Sequence, residues 1–535
     1  MTDSDCATAA GGDHTAVLVV GAGPTGLLLA AELRRHGVAC RLIDARPAPQ
    51  HWDRATVVHP RSLELFESLG VVERFLAAGT PQRAVQVHSG GQLLGVMDLA
   101  SCGSVYGYNL GLSEEVTESI LTEYLRRQGG DVQRDARLVG FAAHAGGVRA
   151  EIARDGRREV VAAEWMVGCD GLHSPTRELS GIGFDGHDIG RPWAVFDATL
   201  QGWSARYDVT FAYLDALPVI LTALPGRRWR VYLRPSTPQS DLVADAAATL
   251  RRYAPQVSFT AVENPTRFHC HTRVATRFRA GRVLLAGDAA HLCSPAEGHG
   301  MNCGLQDAFN LAWKLALVCR GAADACLLDS YEAERRPAAE LVMRSGDAVE
   351  AAQALTDPAA RAARDRTMRA TLADPAARHH EVVAEAELNV SYGGSPIVCG
   401  AADGPLGAGQ RLPDTIDVRL PSGATERLHR LAHRAGHTVL LLGRDPAVLR
   451  AAWAALPARA AASPLFAAAF AFAATAGEAD GIGQLAPAAA ARLGVADLCL
   501  VAVRPDGYIG ARADRDPLGA LERYRGLVAS ARSAA

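Results

Sequence analysis

The sequence predicts a mixed α/β protein that combines a parallel nucleotide-binding sheet, a separate antiparallel sheet and a smaller C-terminal α/β domain. Three observations support this fold class. A glycine-rich turn joins a strand to a helix near residue 20, short β-type runs dominate residues 190–275, and a loop rich in glycine and proline follows residue 392. The 535 residues suffice for about two to four domains.

The composition argues against several classes of protein. The formal net charge of −3 offers no basic surface for nucleic acid or an anionic membrane. The longest apolar run, residues 465–474, is too short to cross a bilayer. The eleven cysteines include no CxxC pair and no His/Cys cluster at metal-ligand spacing, so we predict no metal site. The polar segment 1–14 lacks the blocks of a secretory leader, which predicts a soluble protein of the reduced cytoplasm.

The first structural unit is a βαβ arrangement. Residues 16–20 form an apolar run typical of a buried strand, and residues 21–26 form a tight glycine turn. A helix is predicted over residues 27–35, ended by Gly37, and a second strand over residues 39–44. Such a unit opens a parallel sheet.

The sequence pattern in the middle of the chain indicates a second kind of sheet. Residues 78–112 and 190–275 contain short β-rich runs separated by turn residues, which predict an antiparallel sheet. A buried strand of the parallel type is predicted again over residues 281–286, and a long amphipathic helix follows from about residue 303 to residue 319.

The last part of the chain predicts a domain of its own. Residues 347–390 have a helical pattern, and the loop 393–413 marks the domain boundary. Beyond it, strands are predicted over residues 437–442, 498–503 and 508–511, with helices between them.

The glycine turn carries the first functional motif, Gly21-Ala-Gly23-Pro-Thr-Gly26. The first glycine permits the turn, the second lets the backbone approach a pyrophosphate, and the third allows close packing of helix and strand. Asp44 ends the next strand, where a carboxylate can accept hydrogen bonds from a ribose. The motif therefore predicts a Rossmann-like dinucleotide site without a 2′-phosphate.

Two further motifs follow in the same order as in a known family. Residues 168–177 read GCDGLHSPTR, and residues 287–302 run from GDAAH to GHGMN before the long helix. Together with the glycine turn, they resemble the flavoprotein aromatic hydroxylases, the family of para-hydroxybenzoate hydroxylase, phenol hydroxylase and pentachlorophenol monooxygenase. The resemblance covers about residues 15–345. It continues more weakly through residues 409–413 and 504–508, which resemble the thioredoxin-like C-terminal domain of the longer members.

The resemblance implies three domains. Because Cys499 is the only cysteine after the boundary loop, we expect the thioredoxin-like domain to be redox-silent. The expected domains are a Rossmann-like, para-hydroxybenzoate hydroxylase-like FAD-binding domain (residues 1–77, 113–189 and 276–395), a substrate-binding β-sheet domain (78–112 and 190–275) and a C-terminal thioredoxin-like α/β domain (396–535).

The resemblance also implies which residues bind FAD. The three glycines hold the pyrophosphate and Asp44 the adenosine ribose, whereas the start of the long helix lies under the pyrimidine edge of the flavin. Asp170 is implied in binding both FAD and NADPH, and Asp288 in binding the ribityl chain. The full set of implied FAD-binding residues is Gly21, Gly23, Gly26, Asp44, Arg46, Arg54, Asp170, Asp288, Gly298, Gly300, Met301 and Asn302.

The implied activity is that of an FAD-dependent monooxygenase. It would hydroxylate a small aromatic, phenolic substrate with NADPH or NADH and O2 through a C4a-hydroperoxide of the flavin, as a monomer or homodimer. The central motifs look closest to those of pentachlorophenol-type enzymes, which favours a small phenol; a multi-ring polyketide of antibiotic biosynthesis is the alternative. A flavoprotein that merely binds aromatic ligands is disfavoured by the intact Asp-Gly motif. Flavin-dependent halogenases of a related fold rely on a lysine in the substrate tunnel. That class is disfavoured because the only lysine here, Lys314, lies inside the long helix.

Departures from the family pattern supply the catalytic candidates. Glu297 and His299 stand in the flavin loop where related chains have small or neutral residues, and they are candidates for proton transfer or for binding a polar substituent. Glu114 replaces a common glutamine. Thr56 stands near the position of a catalytic aspartate in phenol-type members. The remaining candidates to hold or ionise a phenol are therefore His59, Tyr213 and Tyr232.

Overall fold

The computed structural model of the chain describes residues 14–50, 55–203, 206–401, 404–475 and 482–530. Its strands are, in chain order, β1 (His14–Val20), β2 (Cys40–Ile43), β3 (Val57–Val58), β4 (Thr80–Gln82), β5 (Ala84–Ser89), β6 (Gln92–Asp98), β7 (Asn109–Gly111), β8 (Val132–Gln133), β9 (Ala136–His144), β10 (Gly147–Arg154), β11 (Arg157–Gly168), β12 (Phe184–Asp188), β13 (Trp193–Gln201), β14 (Val209–Tyr213), β15 (Val219–Leu224), β16 (Arg228–Leu233), β17 (Ser258–Phe268), β18 (His271–Ala275), β19 (Arg279–Ala280), β20 (Val283–Leu285), β21 (His291–Leu292), β22 (Asp417–Arg419), β23 (Thr425–Arg427), β24 (His437–Gly443), β25 (Phe466–Ala473), β26 (Gly483–Leu485), β27 (Leu498–Val503) and β28 (Ile509–Ala513).

The helices of the same described residues are α1 (Pro24–Arg35), α2 (Pro60–Ser68), α3 (Val72–Ala78), α4 (Glu114–Arg127), α5 (Pro175–Leu179), α6 (Leu242–Leu250), α7 (His299–Cys319), α8 (Asp329–Gln353), α9 (Pro358–Ala373), α10 (Pro375–Glu385), α11 (Leu428–Ala432), α12 (Pro446–Trp453), α13 (Leu456–Ala461), α14 (Pro487–Arg492) and α15 (Pro517–Ser530). None of them is both long enough and apolar enough to cross a membrane.

The nucleotide-binding sheet has the strand order β19-β20-β11-β1-β2-β8. Strand β1 pairs in parallel with both β2 and β11, so the predicted βαβ unit is confirmed. Helix α1 begins at Pro24 rather than at residue 27, because Pro24 occupies the first turn, where a missing N–H costs nothing. Helices α1 and α7 pack on this sheet and share its apolar core.

The second large sheet has the order β17-β13-β16-β15-β14-β5-β6. Its neighbours are antiparallel, as predicted, except that β5 and β14 run in parallel. Strands β5 and β6 come early in the chain and form one edge of this sheet. The chain then passes through β8 to β11 of the nucleotide-binding sheet before it returns at β13. Helix α6 packs on one face through Leu242, Ala246 and Leu250.

The C-terminal domain is built on a mixed sheet of order β23-β22-β26-β25-β24-β27-β28. Strands β24 and β25 are parallel, whereas β24, β27 and β28 are successively antiparallel. Helices α12, α13 and α15 pack on this sheet. This part of the chain is therefore mixed α/β, as the predicted fold class requires.

A buried ionic network joins the C-terminal domain to the long helices. The guanidinium of Arg504 donates to Glu334 on α8 at 2.6 Å and to Asp506 at 2.6 Å. The ammonium of Lys314 on α7 donates to the same Glu334 at 2.7 Å. The side chains of Arg504, Lys314 and Glu334 have no exposed surface, so this network is fully buried between the C-terminal segment and helices α7 and α8.

Candidate active site

A cavity of about 930 Å³ extends from the nucleotide-binding sheet to the second large sheet. Most of the residues that sequence reasoning assigned to FAD meet at it. Gly26 and Asn302 lie behind its wall, and Arg54 falls outside the described residues. The assigned residues that line the cavity are Gly21, Gly23, Asp44, Arg46, Asp170, Asp288, Gly298, Gly300 and Met301.

The glycine turn at the end of β1 leaves no room for side chains. Gly21 has a φ of 101°, and a Cβ there would overlap the carbonyl of Cys169 that follows β11. A Cβ on Gly26 would overlap the carbonyl oxygen of Gly21. The two glycines therefore let the turn fold tightly under the first turn of α1, whose free N–H groups face the cavity.

Asp44 lies at the end of β2 beside this turn. Its carboxylate accepts hydrogen bonds from the amide of Ala22 at 2.7 Å and from the amide of Arg46 at 2.8 Å. Burial opposes ionisation, but the hydrogen bonds from Arg46 and Ala22 outweigh it and hold the pKa of Asp44 below its ordinary value. Asp44 is thus an ionised acceptor at the edge of the cavity, as a ribose site requires.

Asp170 organises the loop of the second motif. It accepts hydrogen bonds from the amide of Thr176 at 2.9 Å and from the hydroxyl of Ser174. Burial raises its pKa. The carboxylate therefore holds the loop at the start of α5 against the cavity. Asp288, by contrast, is exposed to the cavity just after β20.

The start of α7 forms the opposite end of the cofactor region. Gly298 adopts a φ of 72° and precedes the helix, while Gly300 and Met301 line the cavity. Asn302 points inward: its Oδ1 accepts from the amide of His59 at 3.0 Å, and its Nδ2 donates to the carbonyl of Val57 at 2.9 Å. Asn302 therefore ties β3 to the helix start.

These features fit FAD. A glycine turn with a helix N-terminus suits a pyrophosphate, and an ionised acid one strand away suits a ribose. The N-terminus of α7 at the far end suits the negative charge of a reduced flavin. When bound, FAD supplies the redox chemistry, and the chain supplies binding, orientation and electrostatics.

The substrate end of the cavity is formed by the second large sheet. Tyr232 on β16 and Thr56 line it, and their hydroxyl groups are hydrogen-bonded at 2.9 Å. Tyr213 lies on the opposite face of the sheet, because side chains alternate along β14. There its ring packs 4.6 Å from that of Tyr253.

Two candidate histidines lie behind the α7 turn rather than on the cavity. The Nδ1 of His59 is 3.0 Å from Oδ1 of Asn109, and its ring centroid is 4.6 Å from that of His299. Burial and the charge of His299 lower the pKa of His59. Burial also opposes protonation of His299, but its hydrogen bond to Glu387 at 2.9 Å outweighs this effect and raises its pKa to about 9.

Sequence reasoning missed the helices that close the substrate end. The cavity is also lined from α8, α9 and α10, whose alanine- and arginine-rich sequences carry no motif. Strands β4 and β7 contribute polar groups as well. These additional lining residues are Gln82, Asn109, Gln353, Met368, Leu372, Glu381 and Glu385.

The two tyrosines allow a direct test of this geometry. With a hydroxylated substrate, Tyr232→Phe is expected to lower kcat/KM by about five- to tenfold, the effect of about 1 kcal/mol of lost hydrogen bonding. Tyr213→Phe is expected to stay within about twofold of the parent, because that hydroxyl is remote from the cavity. Equal losses in the two variants would contradict the assignment of faces.

Comparison with known proteins gives the family. The family model described as FAD binding domain matches residues 14–345. A 6-methylpretetramide 4-monooxygenase of Streptomyces rimosus is 36% identical over 410 residues, covering 74% of this chain and 73% of that protein. Pentachlorophenol 4-monooxygenase of Sphingobium chlorophenolicum is 32% identical over 344 residues, covering 62% of this chain and 64% of that protein.

A solved structure extends the similarity over the whole length. The ternary complex of aklavinone-11 hydroxylase with FAD and aklavinone has a TM-score of 0.76 and 27% identity, and the match covers 97% of this chain and 99% of that one. The family model covers all three sequence motifs, and the curated relatives are monooxygenases. The chain therefore belongs to the flavoprotein aromatic hydroxylases and is a single-component, FAD-dependent aromatic monooxygenase.

Proposed function

We propose that the substrate of this monooxygenase is a multi-ring phenolic compound. The observation that carries the proposal is the width of the substrate wall. Lining residues come from five neighbouring strands, β16, β15, β14, β5 and β6. Neighbouring strands are about 4.8 Å apart, so this wall is about 19 Å wide. A single phenol ring would contact only a fraction of it.

The chemistry of the wall supports the same substrate class. Its sheet side is mainly apolar, with Val85, Val87, Ala212 and Ile220, and Leu372 of α9 faces it. Flat aromatic rings gain free energy by burial against such a surface. Glu381 and Glu385 on α10 add negative charge, which disfavours substrates that carry a carboxylate.

The FAD-binding roles form part of the proposal. FAD would bind with its pyrophosphate at Gly21 and Gly23, its adenosine ribose at Asp44 and its ribityl chain at Asp288. Gly26 would act by keeping the turn closed. Gly298, Gly300 and Met301 would face the flavin ring, with Asn302 holding their backbone. Arg46 would lie along the adenosine half, Arg54 near pyrophosphate and flavin, and Asp170 beside the path of NADPH or NADH.

A cytoplasmic location is also proposed. The ten cysteines that the structure describes are free thiols, in keeping with a reducing compartment.

A panel of phenols tests the substrate class. Holoenzyme is mixed with NADPH and either pentachlorophenol, aklavinone or 6-methylpretetramide, and NADPH loss, hydrogen peroxide and hydroxylated product are measured together. We expect a multi-ring compound to stimulate NADPH oxidation, with product matching the oxygen consumed. Coupled turnover of pentachlorophenol combined with no response to any multi-ring phenol would contradict the proposal.

A further inference from the structure

Glu297 lies where the cofactor end and the substrate end of the cavity meet. The residue before it, Ala296, packs against a cluster that includes Ile220 and Tyr232 of the substrate wall. The residue after it, Gly298, begins the turn into α7. The side chain of Glu297 itself lines the cavity. The carboxylate of Glu297 therefore lies where the edge of a bound flavin would meet the ring of a bound substrate.

The two oxygens of this carboxylate have different surroundings. Oε1 accepts a hydrogen bond from the hydroxyl of Ser345 on α8 at 3.0 Å. Oε2 is buried and has no hydrogen-bond partner among the residues that the structure describes. A buried carboxylate oxygen without a donor is costly, so a ligand hydroxyl at this point would satisfy it. Ser345 thus orients the carboxylate while Oε2 stays available.

The charges around Glu297 suit a proton acceptor. Burial is the main cause that raises its pKa, and the carboxylates of Glu385 and Glu381 on α10 act in the same direction. His299 on α7 opposes them with its positive charge. A carboxylate whose pKa is raised accepts a proton from a phenol more readily than an ordinary one does. The neighbouring histidines are less suited, because neither His59 nor His299 lines the cavity.

We propose that Glu297 is the base that takes the phenolic proton of the substrate; the proposal rests on the phenolic substrate class proposed above. The O–H bond breaks, the proton bonds to Oε2, and the electron pair stays on the phenolate oxygen. The phenolate ring carbon then takes one oxygen atom of O2, while the two electrons of NADPH or NADH reduce the other atom to water. As the ring regains aromaticity, its C–H proton passes to water and the proton on Glu297 returns to the phenol oxygen.

The test measures ionisation of a bound phenol without turnover. Alizarin, a dihydroxyanthraquinone, serves as the probe because its phenolate absorbs at longer wavelengths than oxidised flavin. Holoenzyme without NADPH is saturated with alizarin and titrated with acid. We expect bound alizarin to ionise at a lower pH in Glu297→Gln than in the parent, by about one pH unit or more, because the ionised carboxylate of the parent repels a phenolate beside it. Glu340→Gln, which removes the same charge from α8 away from the cavity, should behave as the parent.

The pH profile of turnover gives the second readout. Removing the base should lower kcat at pH 7 by about 10²- to 10³-fold, with activity recovering as the pH approaches the pKa of the free phenol. In the parent, activity should fall only as the pH drops through the raised pKa of Glu297, because the base must be ionised. KM should change little.

The outcomes separate this proposal from the previous one. If bound alizarin ionises at the same pH in the parent and in Glu297→Gln, and kcat is unchanged, Glu297 is not the base even though the enzyme binds multi-ring phenols. If the parent binds neither alizarin nor the multi-ring phenols of the panel, the substrate class is wrong, and the role of Glu297 falls with it.

Discussion

Replacing Gly26 with alanine is expected to yield protein that contains no FAD. The added Cβ would overlap the carbonyl oxygen of Gly21, which is backbone and cannot move aside without opening the turn. Opening the turn moves the N-terminus of α1 away from the place where a pyrophosphate would bind. The ratio of flavin absorbance to protein absorbance after purification, with and without added FAD, measures the effect.

A matched control separates this effect from a general intolerance of alanine. Gly140 lies on β9, and a Cβ there would meet nothing within 4 Å. Gly140→Ala should therefore retain a full complement of FAD. A Gly26→Ala protein that binds FAD as tightly as the parent would show that the turn at the end of β1 does not hold the cofactor.

Replacing Arg504 with methionine is expected to lower the free energy of unfolding by about 3–5 kcal/mol, the usual cost of leaving one partner of a buried ion pair behind. The side chain of Arg504 has no exposed surface, and it donates to both Glu334 and Asp506. Its loss leaves two buried carboxylates without this guanidinium, while Lys314 still donates to Glu334. Denaturation by guanidinium, followed by flavin fluorescence and circular dichroism, measures the change.

Arg523 provides the comparison on the surface. It forms an ion pair with Asp516 at 3.2 Å, and both side chains are more than 60% exposed. Arg523→Met should cost at most about 1 kcal/mol, because water and salt already screen such a pair. Similar losses in the two variants would mean that the network between the domains contributes no special stability.

Local patterns explain the parts of the fold that were predictable. The predicted strand over residues 498–503 coincides with β27, because a short apolar run bounded by turn residues determines a strand locally. The helix predicted from about residue 303 begins instead at His299. The preceding Gly298 adopts a left-handed φ of 72°, a property of the turn that apolar periodicity does not report.

Long-range pairing explains what was missed. Strand β5 pairs with β14, whose residues come 125 positions later in the sequence, and no local pattern encodes that partner or its parallel direction. The sequence motifs identified the residues at the cofactor end of the cavity, because the glycines and acids of these motifs act on the backbone next to them. Which residues line the substrate end depends on the face of the sheet that each side chain occupies. For this reason Tyr232 lines the cavity and Tyr213 does not. The substrate end also depends on α9 and α10, which reach the cavity only through tertiary packing.

The burial of Lys314 gives the protein a chemical reporter of its own unfolding. It is the only lysine in the sequence, and its ammonium is enclosed by Glu334 and Asn310 with no exposed surface. Burial lowers its pKa to about 8, so its reactivity is limited by access more than by protonation. An amine-directed acylating reagent should therefore leave this side chain unmodified in the native enzyme and label it once the C-terminal domain separates from the long helices. Mass spectrometry of one peptide would then record how often that separation occurs.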